Sequence, residues 1–140
     1  QIHPATTDVI DNLYNMKKII STQNAPAAIG PYSQAVEANG TLYVSGQIPI
    51  NPENGSIVDG DIELQTHRVL KNIGEILSAA GHSYDNVVKT TCLLADIDDF
   101  SSFNSVYAQY FTHNKPARAC FAVKALPKNA KIEIDVISVK

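Results

Sequence analysis

The chain has 140 residues, 44% of them apolar and 18% charged, with a formal net charge of −3. That length suits one domain, and that balance excludes disorder, which needs few apolar residues and high net charge. The slight negative charge offers no general attraction to phosphate backbones or acidic headgroups, and no Lys/Arg cluster exceeds Lys17-Lys18, so nucleic acid and membrane are poor fits as partners.

Residues 1–15 hold no Lys or Arg and no long apolar stretch. They lack the basic start and apolar middle of a signal peptide, and the arginines of a transit peptide. We read them as an N-terminal extension or an appended remnant outside the fold. Met16 looks like a natural start, and the globular unit is expected over residues 16–140.

Residues 17–21 read as a short strand, followed by a loop through Pro26 and Gly30-Pro31. Residues 32–38 and 42–45 form a hairpin, with Asn39-Gly40 as the favoured two-residue turn. Pro49, Asn51-Pro52 and Asn54-Gly55 mark a loop. Over residues 61–80, Leu64, Val69, Leu70, Ile73, Ile76, Leu77 and Ala80 recur at helical spacing, and Gly81 sits where a helix end takes a left-handed residue. Residues 87–95 are strand-like. A second helix starts near Asp98 or Asp99, either of which can serve as N-cap, with Phe100, Phe103, Val106, Tyr107, Tyr110 and Phe111 on its core side. Residues 117–123 and 131–139 read as two further strands. The whole describes an α+β domain.

Two cysteines, Cys92 and Cys120, are too few for a disulfide framework or a zinc site and read as reduced thiols. The glycines are scattered singly and no histidine pair has ligand spacing, so no nucleotide cofactor and no metal is expected. No run of about 18 apolar residues is present. A cytoplasmic location is expected, with an organelle such as the mitochondrion open.

Alternation along the last two strands suggests a shared site. Ile132, Ile134 and Val136 face one way, and Glu133, Asp135, Ile137 and Val139 the other. Ala119, Phe121 and Val123 share a face, opposite Arg118, Cys120 and Ala122. If both helices cover Phe121, Val123, Ile132, Ile134 and Val136, then Arg118, Cys120 and Glu133 meet on the uncovered face. With no helix left for that face, it is expected to bury against another subunit. Two readings of Arg118 and Glu133 stay open on these grounds: a structural salt bridge, worth little if exposed, or a site. Cys120 reads as a small apolar residue rather than a nucleophile, Tyr32 as loop packing, and His67 and His82 as solvated.

The run Pro116-Ala117-Arg118-Ala119-Cys120-Phe121-Ala122-Val123-Lys124-Ala125-Leu126, with Ile132-Glu133-Ile134 after it, resembles the C-terminal signature of the RidA/YjgF family, also called L-PSP endoribonucleases. Asn24-Ala25-Pro26, Ile29-Gly30-Pro31-Tyr32-Ser33-Gln34 and Val44-Ser45-Gly46-Gln47-Ile48-Pro49 resemble its N-terminal blocks. Asp98-Asp99-Phe100 and Asn104-Ser105-Val106-Tyr107 match its second-helix region. The resemblance implies a chorismate-mutase-like α+β fold, with two helices on one face of a mixed sheet, and a homotrimer with sites between subunits. It implies hydrolytic deamination of 2-imino and enamino acids, such as 2-iminopropanoate and 2-iminobutanoate, to 2-oxo acid and ammonia without a cofactor. By the same resemblance Arg118 holds the substrate carboxylate and Glu133 handles the attacking water. Tyr32, Ser45, Gly46, Asn104 and Cys120 line the pocket. The stretch from Thr112 to Pro116 is shorter than in some bacterial members, which leaves substrate preference open. Some relatives are described as ribonucleases, translation inhibitors or chaperone-like binders. The acidic charge favours the deaminase over that alternative.

Overall fold

The computed structural model describes residues 16–140; the expectation for residues 1–15 lies outside them. Six strands form one sheet: β1 (Lys18–Ile20), β2 (Ala35–Ala38), β3 (Thr41–Gln47), β4 (Val87–Leu94), β5 (Ala117–Ala122) and β6 (Ile132–Val139). Two helices, α1 (Ile62–Ala79) and α2 (Phe100–Tyr110), pack on one face of it and against each other. The α+β class and the one-sided helix layer agree with the sequence reading.

The strand order is β1-β2-β3-β6-β4-β5. All neighbours are antiparallel except β4 and β5, which run parallel. A parallel pair needs a long crossover, and α2 provides it. The β2–β3 turn has φ of +52° at Asn39 and +80° at Gly40, as a two-residue turn matched to strand twist demands. The first strand of that hairpin starts at Ala35 rather than at Tyr32. Gly30, at φ +135°, and a tight turn from Tyr32 N–H to the Gly30 carbonyl (2.9 Å) delay its entry into the sheet.

α1 begins at its cap: the Asp61 carboxylate accepts from the Leu64 N–H at 2.9 Å. Val69, Leu70, Ile73, Ile76 and Leu77 are fully buried, while Leu64 turns outward. Gly81, at φ +76°, then folds the chain back to the sheet. α2 has Asp99 at its N-cap position, one of the two residues expected there. Asp96 caps a short 3-10 turn by accepting from the Asp98 N–H (2.9 Å), and Asp99 makes no side-chain cap bond.

Both histidine readings are corrected. His82 follows Gly81 and is thrust between α1 and the sheet. It is 5% exposed; Nδ1 meets the Ser138 Oγ at 2.7 Å and Nε2 the Glu37 Oε1 at 3.1 Å. Glu37, Leu42 and Ser138 lie in one cross-strand row on the helix side, so the ring joins β2 to β6. His67 is half-buried, with Nδ1 2.8 Å from the Tyr110 hydroxyl.

The helix side of the sheet carries Leu42, Val44, Thr90, Cys92, Leu94, Ile132, Ile134 and Val136, all buried. No described helix covers the other side. Ile19, Tyr43, Phe121 and Val139 stand there about half exposed, at 53%, 51%, 49% and 45%. Removing the cap of α1 by Asp61→Ala should cost about 1 kcal/mol. Thermal unfolding should show a melting point lower by about 4 °C, with activity per folded molecule unchanged.

Candidate active site

The register around β4 decides where the expected site residues stand. β4 lies between β5 and β6, so the last two strands of the chain are not neighbours. Thr90 opposes Arg118, and Cys92 opposes both Cys120 and Ile134. Those rows belong to the buried, helix-covered side. Leu93 opposes both Phe121 and Glu133, and that row lies on the open side. Arg118 and Cys120 therefore face the helices, whereas Glu133 faces away from them. The expectation that all three meet on one uncovered face is wrong within a single chain. Placing Phe121 on the same side as Ile132 and Ile134 was the error. Alternation fixes relative faces along one strand, but the phase between strands comes from pairing, which β4 sets.

The open side holds one group of expected residues. A cleft of ≈ 530 Å³ is lined by Tyr32, Ser45, Gly46, Gln47, Lys128 and Glu133, with Ile29, Ile48 and Ile50 as apolar wall. A bulge between Val44 and Gln47 in β3 places Ser45-Gly46 beside Glu133 of β6. A Cβ on Gly46 would lie 2.8 Å from the Glu133 Oε2 and 3.0 Å from its Cδ. Glycine is needed there because the carboxylate occupies the space a side chain would fill. Ser45 Oγ donates to the Ser33 carbonyl at 2.6 Å, tying β3 to the Tyr32 loop. Burial, and then the neighbouring Asp135 charge, push the Glu133 carboxyl above the ordinary carboxylate range. A carboxylate raised in this way is a better proton acceptor than one in free solvent.

The helix side holds the other group. Arg118 Nη1 donates to the Asn104 Oδ1 at 2.7 Å. Its Cζ lies 4.7 Å from the Tyr107 ring centroid, 5.6 Å from Phe100 and 5.7 Å from Phe103. Cys120 sits in the next row of the same face, against the core. Burial raises its thiol pKa, and it pushes the neighbouring Cys92 up to about 12. Both shifts favour the thiol over the thiolate at neutral pH, the less nucleophilic form. Among the described residues the salt-bridge contact present is His82–Glu37, an ion pair only when the imidazole is protonated. A structural Arg118–Glu133 bridge within one chain is thereby ruled out. No group of three or more His, Cys, Asp or Glu side chains among these residues is placed to hold a metal ion.

The family model described as Endoribonuclease L-PSP matches residues 22–140. The chain belongs to the RidA/YjgF/L-PSP family. The human 2-iminobutanoate/2-iminopropanoate deaminase is 52% identical over 125 residues, covering 89% of this chain and 91% of that one. The crystal structure of YyfA, a Rid-family protein of Yersinia pestis, superposes with a TM-score of 0.86 at 53% identity, covering 89% and 99% of the two chains. TdcF of E. coli, solved with bound serine, superposes at 0.83 and 42% identity, covering 88% and 98%.

In this RidA-family chain, sequence reasoning overlooked several residues that build the site. Gln34 is 3% exposed; it accepts from the Thr22 N–H at 2.7 Å and donates to the Pro26 carbonyl at 2.8 Å. It thereby holds the loop that walls the cleft. Lys128 lines the cleft from a left-handed backbone, at φ +55°. Only the buried amide of Gln34 could have been flagged beforehand, as a polar residue opening a strand. Gly46→Ala should displace the Glu133 carboxylate while sparing the fold. We expect kcat/KM to fall on the order of tenfold to a hundredfold, with the melting temperature within a few degrees of wild type.

Proposed function

We propose that the protein hydrolyses reactive 2-imino and enamino acids, such as 2-iminopropanoate and 2-iminobutanoate, to the 2-oxo acid and ammonia. The observation that carries this is Arg118: its guanidinium is held by Asn104 and aromatic rings, with no acidic partner among the described residues. A guanidinium fixed along one edge keeps other N–H groups for a bidentate grip on a carboxylate, which every 2-imino acid carries. Identity of 52% to the human deaminase supports the same substrate class.

The reaction needs one nucleophile and one proton acceptor. Glu133 takes a proton from water as the oxygen bonds to the imine carbon, whose double-bond electrons move to nitrogen. Glu133 returns that proton to nitrogen, giving the carbinolamine; its hydroxyl proton then passes through Glu133 to the nitrogen as the C–N bond breaks, so the carbonyl forms and ammonia leaves. An imine carbon is already electrophilic, so this chain's residues need only orient and deprotonate. Tyr32, Ser45 and Gly46 form the wall beside Glu133, and Asn104 and Cys120 the wall beside Arg118.

Arg118 and Glu133 stand on opposite faces of one sheet, so one chain cannot apply both to one substrate. We infer that copies join so that the open cleft of one chain receives the Arg118 face of the next. Such head-to-tail contacts close into rings, and a homotrimer is the ring that the family resemblance implies. The half-exposed Ile19, Tyr43, Phe121 and Val139 supply apolar surface for that contact. No helix among the described residues is long and apolar enough to cross a membrane. Two free thiols fit a reducing compartment, the cytoplasm or an organelle interior. On this reading residues 16–140 of each copy carry all the groups that the shared sites use.

Arg118→Ala should lower kcat/KM by about two orders of magnitude, since charge-assisted bonds contribute roughly 1.5–3 kcal/mol each. Arg118→Lys should be nearly as impaired, because it keeps the charge and loses the fork. Steady-state ammonia release from enzymatically generated 2-iminobutanoate measures both. A folded Arg118→Ala with wild-type turnover would sink the assignment, and RNA cleavage without imine hydrolysis would favour the ribonuclease reading. The base is checked by pH. Glu133 must be ionised to accept a proton, so activity is present above its pKa and lost as pH falls through it. That acid limb should lie above the ordinary carboxylate range and move down in Asp135→Asn, which removes the second cause of the shift. Light scattering should give a trimer at micromolar concentration; a monomer with full activity would refute the shared site.

A further inference from the structure

Three aromatic rings of α2 surround Arg118 and are mostly buried. Phe103 is fully buried, Tyr107 is 7% exposed and Phe100 is 37% exposed. They come from successive turns of α2 and converge on one guanidinium, each within 5.7 Å of its Cζ. Asn104, on the same helix, accepts from Nη1. The arrangement is braced from behind. The Tyr107 hydroxyl lies 2.8 Å from the Thr90 Oγ1, both groups buried, and Thr90 is the β4 residue directly opposite Arg118. Phe103 and Phe111 pack on the Tyr107 ring at centroid distances of 5.5 and 4.6 Å. The ring nearest the cation is thus fixed by core packing on two sides and by a hydrogen bond to the strand that carries the register.

An arginine side chain has four rotatable bonds, and an unrestrained one loses much of that freedom when it binds a ligand. Aromatic faces attract a cation through their quadrupole and leave its N–H edges free, which an acidic partner would not do. A carboxylate in this position would hold Arg118 more strongly but would consume the fork and cancel the charge.

We propose that Phe100, Phe103 and Tyr107, braced by Thr90, are positioning residues that fix the Arg118 guanidinium for the substrate carboxylate. This rests on the reading of Arg118 as the carboxylate clamp. The clamp grips the carboxylate in substrate and transition state alike, so loosening it weakens binding of both and raises KM more than it lowers kcat.

The test uses the full chain with Phe100→Leu, Tyr107→Leu and Tyr107→Phe, and Arg118→Ala in parallel. Each is assayed for kcat and KM on 2-iminobutanoate, melting temperature and mass in solution. The two leucine variants keep apolar bulk and lose the π face. We expect KM to rise about fivefold to thirtyfold, with kcat within about twofold of wild type. Tyr107→Phe keeps the ring but loses the Thr90 brace, so KM should lie between wild type and Tyr107→Leu, raised about threefold. Leucine variants that fold with wild-type KM overturn the proposal. So does a fall in kcat at constant KM that tracks a lowered melting temperature, since that is the mark of core damage. If Tyr107→Leu does not fold, Phe100→Leu at the exposed rim decides alone. The clamp and its cage fail separately: wild-type kinetics in Arg118→Ala removes both, whereas an impaired Arg118→Ala beside unaffected leucine variants removes the cage only.

Discussion

The insertion of β4 between β5 and β6 is the constraint on which the site depends. β4 pairs parallel with β5 on one side and antiparallel with β6 on the other, and strand pairing transmits facing directly along each row. Thr90 and Cys92 are buried under α2, so Arg118 and Cys120, opposite them, must point the same way. Leu93 points away and carries Glu133 and Phe121 with it. A slip of one residue in either pairing would reverse one group and bring cation and carboxylate together on one face. The core forbids the slip of β6, because Ile132, Ile134 and Val136 would then leave the helix layer, and each buried side chain of this kind contributes about 1.5–3 kcal/mol. A slip of β5 would take Cys120 off the core and Arg118 from Asn104 and the α2 rings.

The two half-sites are suited to different work. Around Glu133 the surroundings are an apolar cleft with a second carboxylate, Asp135, nearby, and both features oppose ionisation. The result is a carboxylate that binds a proton more readily than an exposed one. Around Arg118 the surroundings are aromatic, which favours a cation without neutralising it. Had the chain paired the two groups internally, each would have spent its charge on the other. Their separation leaves a base and an anion-binding group each unneutralised, and in the function we propose a second copy brings them to one reactant. The side of the sheet that no described helix covers supports that proposal, since Ile19, Tyr43, Phe121 and Val139 stand about half exposed along it.

Local order was legible in the residues themselves. The helical spacing over residues 61–80, Gly81 after it, the Asn39-Gly40 turn and the β-branched strands each act through neighbours in the chain, and all appear in the structure within a few residues. The cap of α2 was legible in its place but not in its bonding: Asp99 holds the N-cap position without a side-chain cap bond, and the Asp96 carboxylate caps the 3-10 turn before it. Arg118, Cys120 and Glu133 were singled out by alternation as well as by resemblance, and Tyr32, Ser45, Gly46 and Asn104 by resemblance alone. What only the tertiary structure decided is how those residues are distributed. Alternation relates residues within a strand, whereas the relation between β5 and β6 passes through β4, which is remote in sequence from both. The burial of His82, the aromatic setting of Arg118 and the close fit of Gly46 to Glu133 are likewise contacts between distant segments. No local pattern encodes them, because they arise only when pairing brings those segments together.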